Sequence, residues 1–187
     1  MSDDLVATLR AILERLEQLG LPYMLVGSVA ALAHGRSRAT QDFDLVVELD
    51  EARARELVRS LPGDRFYASE DAAVDAVRRR TLFNVIDMST GWKVDLVPLK
   101  RRPFSQREFQ RRREVEVLGM RVFVASLEDI ILAKLEWSEL GGGSARQLED
   151  VRELVRIAGE QLDVAYVEAG VAELGVSAAW TSVRQMR

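Results

Sequence analysis

Three aspartates set inside apolar runs are this chain's first candidates for chemistry. Asp42 and Asp44 stand two apart in Asp42-Phe43-Asp44-Leu45-Val46-Val47, and Asp95 stands in Val94-Asp95-Leu96-Val97. Alternation with period two is a strand signal, so Asp42 and Asp44 should leave one face of a strand, about 6.6 Å apart along it. Carboxylates in an oily strand are costly unless something cationic holds them. A divalent metal taking hard oxygen ligands meets that need, Mg2+ being the usual ion where phosphates are also bound. If the strand bearing Asp95 neighbours the first, three carboxylates converge. That is enough for two ions about 3.5 to 4 Å apart, which stabilise the entering and leaving oxygens of an in-line phosphoryl displacement.

A second feature precedes the acids. The apolar run Tyr23 to Val26 ends in Gly27-Ser28, followed by the small-residue segment Val29 to Ala33, which reads as a short helix. A glycine there lets phosphate approach the backbone, and the helix mouth offers free amides and a hydroxyl. The alternative of a P-loop or dinucleotide site fails locally, since no Gly-Lys-Ser/Thr follows Gly27 and no G-x-G-x-x-G is present.

Helices and strands can be read around these residues. Leu5, Leu9, Ile12, Leu13, Leu16 and Leu19 form one stripe over residues 4 to 19, an amphipathic helix ended by Gly20 and Pro22. Strands are expected over 23–26 and 42–49, joined by the short helix and the polar link 36–41. Asp50 caps a helix over 51–60, and Ser69 begins another to Arg79. Residues 81–88 and 92–99 read as a hairpin, with Lys93, Asp95 and Val97 on one face of its second strand. Another hairpin, 114–118 with 120–125, turns at Gly119. From Ser126 the pattern is helical, opening with a capping box from Ser126 to Asp129 and continuing past Gly141-Gly142-Gly143 to the end. This divides the chain into 1–125 and a helical part, 126–187. His34 reads as a helix-end residue, Trp92, Trp137 and Trp180 as packing anchors, and Lys134 as a lysine on a buried helix face.

Composition bounds the class. At 187 residues with 48% hydrophobic and 30% charged residues, the chain has the makeup of a globular protein with a real core. Its uncharged stretch 19–35 is too short and too broken to span a bilayer. Acids in Met-Ser-Asp-Asp argue against a secretory leader, and the lack of cysteine fits a reducing cytoplasm. The net charge of -4 excludes a globally basic nucleic-acid binder, but Lys100, Arg101, Arg102, Arg107, Arg111, Arg112 and Arg113 against Glu108 make a local patch of about +6. Such a patch either attracts phosphate-rich partners, RNA being the one to which it tilts, or is a solvated helix face and loop.

Taken together, Val26-Gly27-Ser28, the spacer 29–41, Asp42-Phe43-Asp44 and the later Asp95 resemble the signature of the DNA-polymerase-beta-like nucleotidyltransferase superfamily. The approach Arg38-Ala39-Thr40-Gln41-Asp42, with Ser126-Leu127-Glu128-Asp129 leading to Lys134 and then Arg146-Gln147-Leu148-Glu149-Asp150-Val151, looks more like the AbiEii-type abortive-infection toxins and related minimal nucleotidyltransferases. The spacer departs from the Gly-Ser-Arg-Ala-Arg-Gly form of the antitoxin-like minimal enzymes in lacking the second charged residue. The resemblance spans about residues 20–155 and implies an α/β (α+β) fold, a mixed sheet flanked by helices with a C-terminal helical subdomain. It implies that Asp42, Asp44 and Asp95 are catalytic and hold two Mg2+, with Mn2+ as the substitute. Gly27, Ser28, Arg38, Thr40 and Lys134 would bind the nucleotide. The implied activity is transfer of a nucleoside monophosphate from an NTP to a hydroxyl of tRNA, a protein or a small molecule, in or outside a toxin-antitoxin pair. The competing expectation is a silent member of the fold that acts as an antitoxin, regulator or binding partner.

Overall fold

The computed structural model describes residues 3–35 and 42–185. Their strands form one seven-stranded mixed sheet: β1 (Tyr23–Val26), β2 (Asp42–Val47), β3 (Phe66–Tyr67), β4 (Phe83–Asp87), β5 (Lys93–Pro98), β6 (Arg113–Val117) and β7 (Met120–Val124), in the order β3-β4-β5-β2-β1-β7-β6. The expected hairpins are present as β4–β5 and β6–β7, and the latter turns at Leu118 and Gly119, both with positive φ. The two-residue β3 carries too short a pattern to be read from sequence.

β2 is the hinge of the topology. It runs antiparallel to β1 and parallel to β5, so the central strands bring together segments more than fifty residues apart. Its odd positions Phe43, Leu45 and Val47 are wholly buried, as are Val94 and Leu96 of β5 in register with two of them. The even positions Asp44 and Val46 are only partly covered. One face of the sheet therefore belongs to the core and the other carries the acids.

Beside the sheet lie α1 (Asp3–Gln18), α3 (Glu51–Ser60) and α4 (Glu70–Arg79), with α4 against β4 and β5 and α3 against α1 and α4. α1 buries Leu5, Leu9, Ile12, Leu13 and Leu16, each worth about 1.5 to 3 kcal/mol relative to exposure. Asp50 and Ser69 cap α3 and α4 as their types predict, accepting from the amides of Arg53 and Ala72. Thr8 of α1 donates to Asp87 of β4 at 2.7 Å, and Arg65 reaches the same carboxylate at 2.8 Å. Burial pushes the Asp87 carboxyl up, but hydrogen bonds from Arg65, Ser89 and Thr8 outweigh it and hold the group down at about 2.

The remaining helices are α2 (Gly27–Ala33), α5 (Pro103–Gln110), α6 (Leu127–Leu140), α7 (Ala145–Ala158), α8 (Val164–Leu174) and α9 (Ser177–Gln185). α6 packs on α2, α7, α8 and α9, and Ile131, Leu135, Val151 and Leu154 join the same buried cluster as the sheet. Residues on both sides of position 125 thus share one core. No helix among the described residues is long and apolar enough to cross a membrane.

Candidate active site

The site forms where β1 ends and β2 and β5 begin. Extended Val26 leads directly into α2, and Gly27 takes φ +67°, a left-handed value that glycine adopts without strain. A Cβ at Gly27 would collide with Oδ2 of Asp44 and lie 3.3 Å from its Cγ. Glycine is needed here for two reasons at once: the backbone conformation and the room for a carboxylate. Val26 is register-paired with Asp44, so the Gly-Ser turn and this acid share one edge of the sheet.

Asp44 is also the register partner of Asp95 across the parallel β2–β5 pair, which places both on the same face of neighbouring strands. Asp95 is 8% exposed; it accepts from Nδ2 of Asn84 at 2.6 Å and from Nζ of Lys93 at 3.3 Å. Asn84 comes from β4 directly opposite Asp95. Asp42 opens β2 as the register partner of Lys93, and its side chain lies outside the described residues. Arg38 and Thr40 also lie outside them. Among the described residues no group of three or more His, Cys, Asp or Glu side chains is disposed to hold a metal; Asp44 and Asp95 are the two site acids so described.

The residues present fit a hard divalent ion: the donors are carboxylate oxygens on paired strands, and the Gly27 cradle keeps space beside one of them. Asn84 was not among the sequence candidates. Alternation places it on the acid face of β4, but only the strand pairing puts it opposite Asp95.

Lys134 is 5% exposed on α6; its Nζ donates to Oδ2 of Asp150 at 2.7 Å and to Oε1 of Gln147 at 3.1 Å. The lysine read from periodicity as facing inward does so, and α7 supplies its counter-charge. The capping box appears in altered form: Ser126 Oγ accepts from the Asp129 amide at 3.2 Å. The Asp129 side chain, wholly buried, instead accepts from Ser126 Oγ, Arg111 Nε and Tyr166 OH. His34 ends α2 with Nε2 3.1 Å from the Ala125 carbonyl. Trp180 and Trp92 are at least partly buried, whereas Trp137, expected as an anchor, is 61% exposed.

The basic run 100–113 has a structural employment that its composition did not reveal. Arg102 makes a two-pronged pair with Glu136, Arg107 bonds Glu173 and Tyr166, and Arg111 bonds Asp129 and Glu128. Arg112 stacks on Phe109 and Phe123 and donates to the Phe109 carbonyl. Three of the seven basic residues, Arg102, Arg107 and Arg111, therefore tie α5 and its two ends to α6 and α8. A cleft of about 640 Å3, lined in part by Leu21, Leu49, Arg53, Arg80 and Arg101, lies at the opposite ends of β1, β2 and β5 from the acids.

No family model matches the chain, and no curated protein matches it either. Solved structures do. A nucleotidyltransferase-like antigenic protein from Paracoccidioides brasiliensis is 21% identical, with a TM-score of 0.58 over 96% of this chain and 93% of the other. The antibiotic-resistance factor ANT(2'')-Ia, solved with adenylyl-2''-tobramycin, is 19% identical at TM-score 0.60 over 90% and 95%. The lincomycin-bound lincosamide adenylyltransferase LnuA is 15% identical at 0.53 over 80% and 95%. With its seven-stranded mixed sheet and its paired acids at the Gly-Ser turn, the chain has the nucleotidyltransferase fold.

Proposed function

We propose that this protein is a Mg2+-dependent nucleotidyltransferase that moves a nucleoside monophosphate from an NTP to a hydroxyl and releases pyrophosphate. The observation that carries this reading is the register pairing of Asp44 with Asp95 beside Gly27. Asp42, Asp44 and Asp95 are the residues that would hold two divalent ions, which when bound neutralise the phosphates and lower the pKa of the attacking hydroxyl. Gly27 and Ser28 receive the triphosphate through backbone amides and the serine hydroxyl. Asp95, oriented by Asn84, holds the acceptor hydroxyl in line with the α-phosphorus and takes its proton. As the new oxygen–phosphorus bond forms, the bond to the β-phosphate bridging oxygen breaks and pyrophosphate leaves.

The acceptor we assign is the hydroxyl of a small molecule. Arg102, Arg107 and Arg111, three of the arginines that would have favoured RNA, are engaged by Glu136, Glu173, Asp129 and Glu128 within the fold. ANT(2'')-Ia and LnuA, which share the fold, were solved with adenylyl-2''-tobramycin and with lincomycin bound. The chain is incubated with each α-labelled NTP, Mg2+ and separate pools of aminoglycosides, lincosamides and total tRNA. Label transfer to a small molecule with pyrophosphate release, lost in Asp44→Asn, is the expected result. Transfer to tRNA overturns the acceptor assignment, and retention of activity in Asp44→Asn overturns the metal assignment. Nucleotide binding without transfer to any pool, together with metal-independent affinity, marks a non-catalytic binding protein instead.

A further inference from the structure

Lys93 stands two residues before Asp95 on the same face of β5, and its Nζ is 3.2 Å from Oδ1 and 3.3 Å from Oδ2 of that carboxylate. An ammonium placed against both oxygens occupies the side from which a divalent ion takes them. The two partners differ in freedom. The Asp95 side chain is 12% exposed and tied to Asn84, whereas that of Lys93 is 40% exposed at the first position of its strand. A lysine is a hydrated point charge on a flexible four-carbon stem, so it can leave this contact without disturbing the sheet.

We propose that Lys93 is a displaceable internal cation: it covers Asp95 in the resting protein and shifts to the phosphates of the incoming nucleotide, so that metal loading at Asp95 is coupled to triphosphate binding. The inference rests on the nucleotidyltransferase reading above. An ammonium and a divalent ion held at contact distance by the same carboxylate repel each other strongly. An ion arriving alone must therefore drive the ammonium away from its counter-charge. Once a triphosphate occupies the Gly27-Ser28 turn, the ammonium gains a new anion and the cost falls. The consequence is positive coupling between metal and polyphosphate, of the size seen between linked sites. Asn84 stays in place throughout and keeps the carboxylate from rotating.

Equilibrium dialysis of Mn2+, with and without saturating inorganic tripolyphosphate, tests this without knowledge of the base or acceptor. In the native protein, tripolyphosphate should raise Mn2+ affinity about tenfold or more. Lys93→Met should bind Mn2+ about tenfold more tightly than the native protein when the metal is alone, with little further gain from tripolyphosphate. Lys93→Arg, which restores a cation, should regain the coupling. Thermal melts establish that each variant is folded, and Lys93→Gln replaces Lys93→Met if the latter is not. Equal Mn2+ affinity and equal coupling in the native and charge-removed forms overturns the proposal. If Asp44→Asn still abolishes that binding, the transferase reading survives. Absence of Mn2+ binding in every form removes both.

Discussion

The Cα of Gly27 lies so close to the carboxylate of Asp44 that a methyl group on the one would overlap Oδ2 of the other. The contact joins the turn proposed to bind phosphate to the strand proposed to hold the metal, and it sets the first prediction. Gly27→Ala must hold a left-handed conformation, costing about 1 to 2 kcal/mol, and must also displace Asp44. Calorimetry should show a melting temperature lower by several degrees. Mg2+-dependent pyrophosphate release should fall at least about tenfold, as expected when a catalytic group is misplaced by a fraction of an ångström. A variant with native rate would show that the close approach is not used.

Asp95 is assigned the proton, so Asp95→Asn should reduce the turnover rate by about a hundredfold to ten-thousandfold, within the range of general-base catalysis. Asn84→Ala frees the carboxylate to rotate and should lower the rate more modestly while leaving the nucleotide KM unchanged. Steady-state kinetics separate these effects. A rise in nucleotide KM alone in the Asn84 variant would relocate that residue to binding.

Lys134 and Asp150 form a buried pair, and removing one partner leaves an uncompensated charge, at about 3 to 5 kcal/mol. Lys134→Met should be strongly destabilised in urea melts, and Lys134→Met with Asp150→Leu should recover much of the loss. If the double variant regains stability but not transfer, Lys134 serves the nucleotide as well as the fold. If it regains both, the pair is purely architectural.

Two carboxyls give stability opposite pH dependences. Asp87, held at about 2 against an ordinary 3.8, stabilises the fold above pH 3.8, and that contribution fades as the pH falls through 2. Asp87→Asn should therefore cost on the order of 2 kcal/mol at pH 7 and little near pH 2. Glu108 is pushed up to about 8 by burial first and then by the nearby Asp129 charge. Its neutral form suits the fold, so its contribution is full below pH 4.5 and is lost as the pH rises through 8. Glu108→Gln should raise the melting temperature at pH 9 and leave it nearly unchanged at pH 4.5. An equal shift at both values would mean that Glu108 is not protonated in the fold.

Arg102 and Arg111, at the two ends of α5, are staples, so Arg102→Ala and Arg111→Ala should lower the melting temperature rather than weaken RNA binding. Filter binding of total tRNA at physiological salt should give no saturable retention by the native protein. Saturable retention that Arg102→Ala or Arg111→Ala abolishes would return these side chains to an RNA-binding role.

Local rules carried much of this molecule. The stripe from Leu5 to Leu16, the caps at Asp50 and Ser69, the turn at Gly119 and the alternation around Phe43 and Val94 each follow from interactions within a few residues. They were legible because helix and strand periodicity and capping are short-range properties. The motif of Gly27-Ser28 with Asp44 and Asp95 was legible too, since carboxylates inside apolar runs are conspicuous by their cost.

Which residues meet is settled by packing between distant segments. The parallel register of β2 and β5 sets Asp44 beside Asp95, and the hairpin then sets Asn84 opposite it. The run 100–113 looks like a surface patch when its charges are counted, because its partners Glu128, Glu136 and Glu173 lie far along the chain. Asp129 and Lys134 take their roles from Tyr166, Arg111 and Asp150, which no pattern within α6 announces. Spacing along the chain determines which face a side chain takes, whereas its counter-charge is selected by packing between segments whose separation no local rule encodes.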